Sequence, residues 1–164
     1  MMTPDTMMDA YRPMVEGASE MADPVLLIVG EEGIGIAVMH PSDEVSVPNM
    51  VRAIRADFVS HVDAFVPLGV GLMAEVWATS HPLGTVGEVL RPRDDPHRID
   101  AVSLMYFGRD GRSWSQIIPF LRPEPGRVIW DDPQIEDCGS SGPLVEAMME
   151  WFPPARTPEP GEDG

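Results

Sequence analysis

The chain has 164 residues and a formal net charge of −16, from 27 acidic residues against 11 basic residues that are all arginine. Such a charge repels phosphate, so it disfavours nucleic-acid groove binding driven by counterion release and, for the same reason, anionic membrane surfaces. With 43% hydrophobic residues, the composition is typical of one folded domain and excludes a fibrous repeat or a wholly disordered chain.

The N-terminal segment, residues 1–23, is polar, rich in methionine and interrupted by Pro4 and Pro13. Because proline breaks helices, the segment predicts a mobile arm with one short helix around residues 14–21. It lacks the apolar stretch typical of a signal peptide, and we therefore expect a cytoplasmic protein.

Two apolar runs and an amphipathic segment follow. Residues 25–29 are continuous β-formers and predict a buried strand, with residues 34–39 as its hairpin partner. Pro48 marks the beginning of a helix. Its apolar residues recur at spacings of three and four and form one stripe, made of Val51, Ile54, Phe58, Val62 and Phe65.

Residues 70–79 predict a central strand, because both of its faces are mostly apolar. Glu75 is conspicuous there, between Met73 and Trp77 on one face. A long loop over residues 80–98 separates this strand from the next one.

A hairpin is predicted from strands at residues 99–107 and 114–121, with a two-residue turn at Asp110-Gly111. Pro119 indicates an edge position or a bulge for its strand, because proline lacks an N–H donor. Residues 127–130 predict a last short strand, and Pro143 begins a short helix.

These elements predict the fold class and the domain organisation. We expect one α+β domain over residues 24–152, with a mostly antiparallel sheet of five to six strands and one main helix packed on a face. Both termini are expected to be disordered, and residues 153–164 form an acidic tail rich in proline and glycine.

The loop over residues 80–98 is the densest polar stretch. Arg91, Arg93 and Arg98 could bind a carboxylate or a phosphate through bidentate hydrogen bonds. The alternative is a self-paired structural loop, in which these arginines neutralise the neighbouring acidic residues Asp94, Asp95 and Asp100.

The candidate catalytic residues are Glu75, His97 and Arg98. A buried glutamate without a partner is a candidate general acid, whereas pairing with an arginine such as Arg98 would make it structural. The lone Cys138 excludes an internal disulfide, and no zinc-ligand spacing or nucleotide-binding motif is present, so we expect no metal and no cofactor.

Three short motifs carry a resemblance. Ala74-Glu75-Val76-Trp77, followed by Arg91-Pro92 and then by residues 95–101, resembles a loose group of small proteins of bacteria and their phages that have no assigned activity. The resemblance covers about residues 24–122. It implies that Glu75, Trp77, Pro96 and Arg98 belong to one local structure, and it implies no activity.

The charge and the lack of a catalytic pattern favour a non-enzymatic interaction protein. We expect it to bind another protein, such as a basic partner or one that normally holds nucleic acid. Two alternatives remain open: a small hydrolase with its site at Glu75, His97 and Arg98, or a structural subunit of a phage or other assembly.

Overall fold

A computed structural model describes residues 2–40, 42, 44–61, 66–78, 99–136 and 142–152 of the protein. In chain order its elements are α1 (Pro4–Gly17), β1 (Val25–Val29), β2 (Ile34–Val38), α2 (Val47–His61), β3 (Gly69–Ala78), β4 (Ile99–Gly108), β5 (Ser113–Glu124), β6 (Arg127–Trp130), β7 (Gln134–Glu136) and α3 (Pro143–Met149). None of these helices has both the length and the apolar character needed to cross a bilayer. The predicted tail at residues 153–164 and the long loop lie outside the described residues.

The strands form one sheet in which every pairing is antiparallel. Its order is β2-β1-β3-β4-β5-β6, and the three-residue strand β7 pairs with β5 on the same side as β6. The predicted α+β class and the mostly antiparallel sheet are confirmed, with β7 as a short addition to the six strands.

The sheet has a hydrophobic core on each face. In β1, Val25 and Leu27 point to the core under α1, whereas Leu26 and Ile28 point to the core under α2 and α3. Successive strand residues alternate between faces, so a strand covered on both sides must be apolar throughout. This explains the uninterrupted apolar run of β1.

Helix α1 differs from the predicted arm and short helix. The N–H of Thr6 is capped by the hydroxyl of Thr3, and Pro4 takes a first-turn position where proline is tolerated. The buried side of the helix, made of Met7, Met8, Tyr11 and Val15, packs on the sheet. The prolines suggested a break, but the spacing of the buried residues is that of an amphipathic helix.

Helix α2 confirms the predicted amphipathic helix. Val51 is fully buried and Ile54 and Phe58 pack on the same core, while the predicted stripe members Val62 and Phe65 lie outside the described residues. The helix packs against α3, and the ring centroid of Phe58 lies 6.0 Å from that of Trp151, two residues after the end of α3.

Two details of the β4–β5 region differ from the sequence prediction. The turn has three residues rather than two, because the N–H of Gly108 bonds to the carbonyl of Arg112 and Gly111 adopts a φ of +85°. Pro119 lies in an interior strand, not at an edge. Its carbonyl accepts the N–H of Asp131, so the position of its missing donor faces the break between β6 and β7.

The ring of Tyr106 lies directly over Gly69, in the neighbouring strand, so that a Cβ at this glycine would overlap the ring. We predict that Gly69→Ala lowers the free energy of unfolding by about 1–3 kcal/mol, the usual cost of overpacking a core. Gly33→Ala is the matched control, because its Cβ would meet no atom within 4 Å. Urea denaturation of both variants checks this, and an equal effect would contradict the close packing.

Candidate functional site

Glu75, the described member of the predicted catalytic set, lies in a buried ion pair. Its side chain is 1% exposed, and its Oε1 lies 2.7 Å from Nη1 of Arg122 while its Oε2 lies 3.2 Å from Nη2. Oε2 also accepts the N–H of Ala22 at 2.7 Å. The expected kind of partner, an arginine, is thus present, but it is Arg122 of β5; Arg98 lies outside the described residues.

This ion pair fastens helix α1 to the sheet. Arg122 also donates from Nη2 to the carbonyl of Val15, near the end of the helix, at 2.9 Å. One turn earlier, the hydroxyl of Tyr11 donates to the carbonyl of Asp23 at 2.9 Å. The end of α1 and the segment that leads to β1 are therefore held by the same polar cluster.

The electrostatics of the cluster favour a fixed charge pair. The hydrogen bond to Glu75 raises the pKa of Arg122, and burial opposes this only in part. The guanidinium lies over the ring of Phe120, 5.2 Å from its centroid. Both carboxylate oxygens of Glu75 have donors and are closed to solvent, so the arrangement supports the fold and offers no surface to a substrate.

The other predicted site residues lie outside the described residues: His97 of the catalytic set and the binding set of Arg91, Arg93 and Arg98. Within the described part of the chain, no group of three acidic, histidine or cysteine side chains is placed to hold a metal ion.

An acidic cleft of about 370 Å³ lies between α1 and the connection from β6 to β7. Three carboxylates line it: Asp5 and Asp9 from α1, and Asp131 from the connection. Residues four apart on a helix share one side, which brings the two helix carboxylates together. The other residues that line the cleft are Met8, Arg12, Gln116, Ile118, Trp130 and Pro133.

The indole of Trp130 is the aromatic wall of this cleft. The guanidinium carbon of Arg12 lies 5.7 Å from the ring centroid, and the indole N–H donates to the carboxylate of Glu16 at 3.0 Å. The ring also packs on Phe120 at 5.3 Å between centroids. The cleft therefore already holds one cation of the chain itself over a rigid aromatic face.

Two further concave regions have different chemistry. A cleft of about 240 Å³ at the β4–β5 turn is lined by Arg109, Arg112 and two aromatic rings, but Arg112 faces Asp110 at 3.8 Å. A groove of about 390 Å³ exposes Leu121 and Ile129. The acidic cleft differs from both regions, because three carboxylates line it against one guanidinium, that of Arg12.

Sequence reasoning missed the α1 residues of the acidic cleft because it assigned residues 1–23 to a mobile arm. A signal for Asp5 and Asp9 was available: they stand four residues apart, next to the Met8, Tyr11 and Val15 stripe. Their proximity to Asp131 had no such signal, because residues more than a hundred positions apart meet only in the folded sheet.

Comparison of the chain with protein-family models, with curated proteins and with solved structures finds no match. The function therefore has to be inferred from the geometry of the chain itself.

We predict that Arg122→Met lowers the free energy of unfolding by about 3 kcal/mol, because it leaves a buried carboxylate without its cation. Arg127→Met is the control: it removes the same group from a pair with Glu124 at 3.6 Å that is more than half exposed, and should cost less than about 1 kcal/mol. Urea denaturation measures both. Similar losses in the two variants would show that the Glu75 pair does not hold α1.

Burial raises the pKa of Tyr11 above its ordinary value of 10, with the charges of Glu75 and Asp23 acting in the same direction. In the folded state Tyr11 therefore keeps its proton at pH values at which the unfolded chain loses it. We expect stability to fall as the pH rises above about 10, and Tyr11→Phe to reduce this fall.

The chain suits this measurement because it has no lysine and only two tyrosines. Alkaline absorbance titration and urea denaturation at successive pH values measure the effect, with Tyr106→Phe as the control for the second tyrosine. Ionisation of Tyr11 in the folded protein with the ordinary tyrosine pKa of 10 would contradict its burial.

Proposed function

We propose that the protein acts by binding another protein, and that the acidic cleft takes a basic segment of that partner. The observation that carries the proposal is the convergence of Asp5, Asp9 and Asp131 from two distant parts of the chain around one concave surface. Convergent carboxylates on a cleft favour a guanidinium or ammonium group.

The walls of the cleft support an arginine-containing segment in particular. Trp130 offers a flat ring, and Arg12 shows that a guanidinium is accepted over it. An arginine of the partner would meet carboxylates for its N–H groups and, by displacing Arg12, an aromatic face for its plane, whereas lysine offers only a point charge.

The charge of the whole chain acts in the same direction. A net charge of −16 attracts a basic partner and accelerates the encounter with it. Added salt screens this attraction and weakens it. We therefore expect binding that is fast and sensitive to ionic strength, with the cleft providing the specific contacts.

The hydrolase alternative has less support, because the carboxylate of Glu75 is buried and paired. Its other two residues, His97 and Arg98, lie outside the described residues, as do the arginines of the predicted binding loop.

The probe is a peptide of nine arginines, and its binding to the protein is measured by NMR and calorimetry. We expect shifts to concentrate at Asp5, Asp9, Asp131 and the indole N–H of Trp130. Changing the three aspartates together to asparagine should weaken binding about tenfold, since an exposed charge contact contributes about 0.5 kcal/mol. Asparagine keeps the oxygen that Asp131 offers to the N–H of Asp132.

The matched control changes three exposed carboxylates outside the cleft to glutamine: Glu44, Glu124 and Glu146. It removes the same charge, and Glu146 occupies the first turn of α3 as Asp5 does in α1. Equal weakening in both variants would contradict the cleft as the binding site. Partners captured from cell extract by the wild type and the control, but not by the cleft variant, would be its ligands.

A further inference from the structure

We infer that the protein forms a homodimer in which the β2 strands of two copies pair antiparallel across a two-fold axis and continue the sheet. This surface lies at the opposite end of the sheet from the acidic cleft, so the inference stands independently of the proposed function.

Strand β2 is an open edge within the described residues. It pairs with β1 on one side, and no described strand pairs with its other side. Ile34, Ile36 and Val38 share one face of the strand and are about half exposed or more, with Ile36 at 64%. Three large apolar side chains on an unpaired edge form a strong template for another strand.

The opposite edge of the sheet, by contrast, has features that oppose pairing with a strand of another chain. The β6–β7 edge is interrupted at residues 131–133, contains Pro133 and two aspartates, and has a register shift in its pairing with β5. Residues 34–38 have no charge and no proline, and the pairing of β2 with β1 has no register shift. Protein edges that lack such devices are normally covered.

The hydrogen-bonding pattern of β2 is self-complementary. The N–H of Gly30 bonds to Gly33 and the N–H of Met39 bonds to Pro24, and bonded pairs alternate along an antiparallel ladder. Gly35 and Ala37 therefore bond to β1, while the N–H and C=O groups of Ile34, Ile36 and Val38 point outwards. The three residues that present backbone groups also present the exposed side chains.

A two-fold axis at Ile36 satisfies all of these groups. Ile36 then pairs with Ile36 of the second copy, and Ile34 pairs with Val38 in both directions. The apolar side chains of the two strands meet on one face as cross-strand pairs. A register shifted by two residues would leave one apolar residue of each strand without a partner.

Charge supports the same register. Centring the pairing on Ile36 brings Glu32, at the β1–β2 turn of one copy, beside His40, just beyond β2 of the other. Both side chains are exposed, and the ring of His40 also contacts the carboxylate of Asp23 in its own chain at 3.0 Å. A carboxylate, which accepts hydrogen bonds, thus lies at one end of the strand and an imidazole, which can donate one, lies at the other. This arrangement favours antiparallel self-pairing over an arbitrary extended peptide.

Light scattering after gel filtration and sedimentation velocity test the inference on the full chain. We expect a mass that rises with concentration towards twice the chain mass. Added salt should strengthen the dimer, because it screens repulsion between two copies of charge −16. The same salt should weaken binding of the arginine peptide, so the two inferences can fail separately. A monomer at all concentrations and salt levels would overturn the dimer.

Ile36→Lys tests the surface, since a charged residue on an edge opposes pairing and an exposed side chain can change without loss of the core. Leu121→Lys is the matched control, because Leu121 is exposed to the same extent (65%) but lies away from the β2 edge. We expect the first variant to be monomeric and the second to dimerise like the wild type. Loss of the dimer in both variants, or in neither, would contradict the assigned surface.

Cross-linking tests the register, in a chain where Cys138→Ser removes the native thiol. A mixture of Ile34→Cys and Val38→Cys chains should be joined by a short thiol cross-linker faster than either chain alone. Faster joining of either single variant would overturn pairing centred on Ile36.

Discussion

The buried pair between Glu75 and Arg122 is the constraint from which the other features of the molecule follow. It reaches from β3 to β5 across the intervening strand and, through the carbonyl of Val15 and the N–H of Ala22, binds both ends of the turn after α1. A buried ion pair adds little net stability, but separating its partners is costly, because each charge would then be buried without its counter-charge. Here that cost holds α1 in its position on the sheet.

The position of α1 accounts for both surfaces to which we assign a role. The helix packs against β3, β4 and β6, so its exposed carboxylates stand beside Asp131 and form the acidic cleft. The same placement leaves one face of β2 without a covering helix among the described residues, and Ile34, Ile36 and Val38 are exposed there. The position of α1 therefore produces a charged surface at one end of the sheet and an exposed apolar edge at the other.

The arginines of the described chain are used largely within it. Arg52 pairs with Glu150 and Arg127 with Glu124, while Arg122 is buried against Glu75. With more than twice as many acidic as basic residues, such pairing leaves carboxylates in excess. In the acidic cleft this excess lies on a concave surface, where three carboxylates outnumber the one guanidinium of Arg12.

The sequence by itself determined the elements whose signals are local: the apolar run of β1, the stripe of α2, and the glycine-containing turn between β4 and β5. Periodicity and turn chemistry depend on neighbours within a few positions, so one chain suffices to read them. Only the tertiary structure decided that α1 packs on the sheet, that Arg122 is the partner of Glu75, and that Asp5 and Asp9 meet Asp131. The residues in these contacts are separated by 47 to more than a hundred positions along the chain. The free energy that selects the contacts comes from burial on the complete sheet, and it cannot be inferred from any single segment.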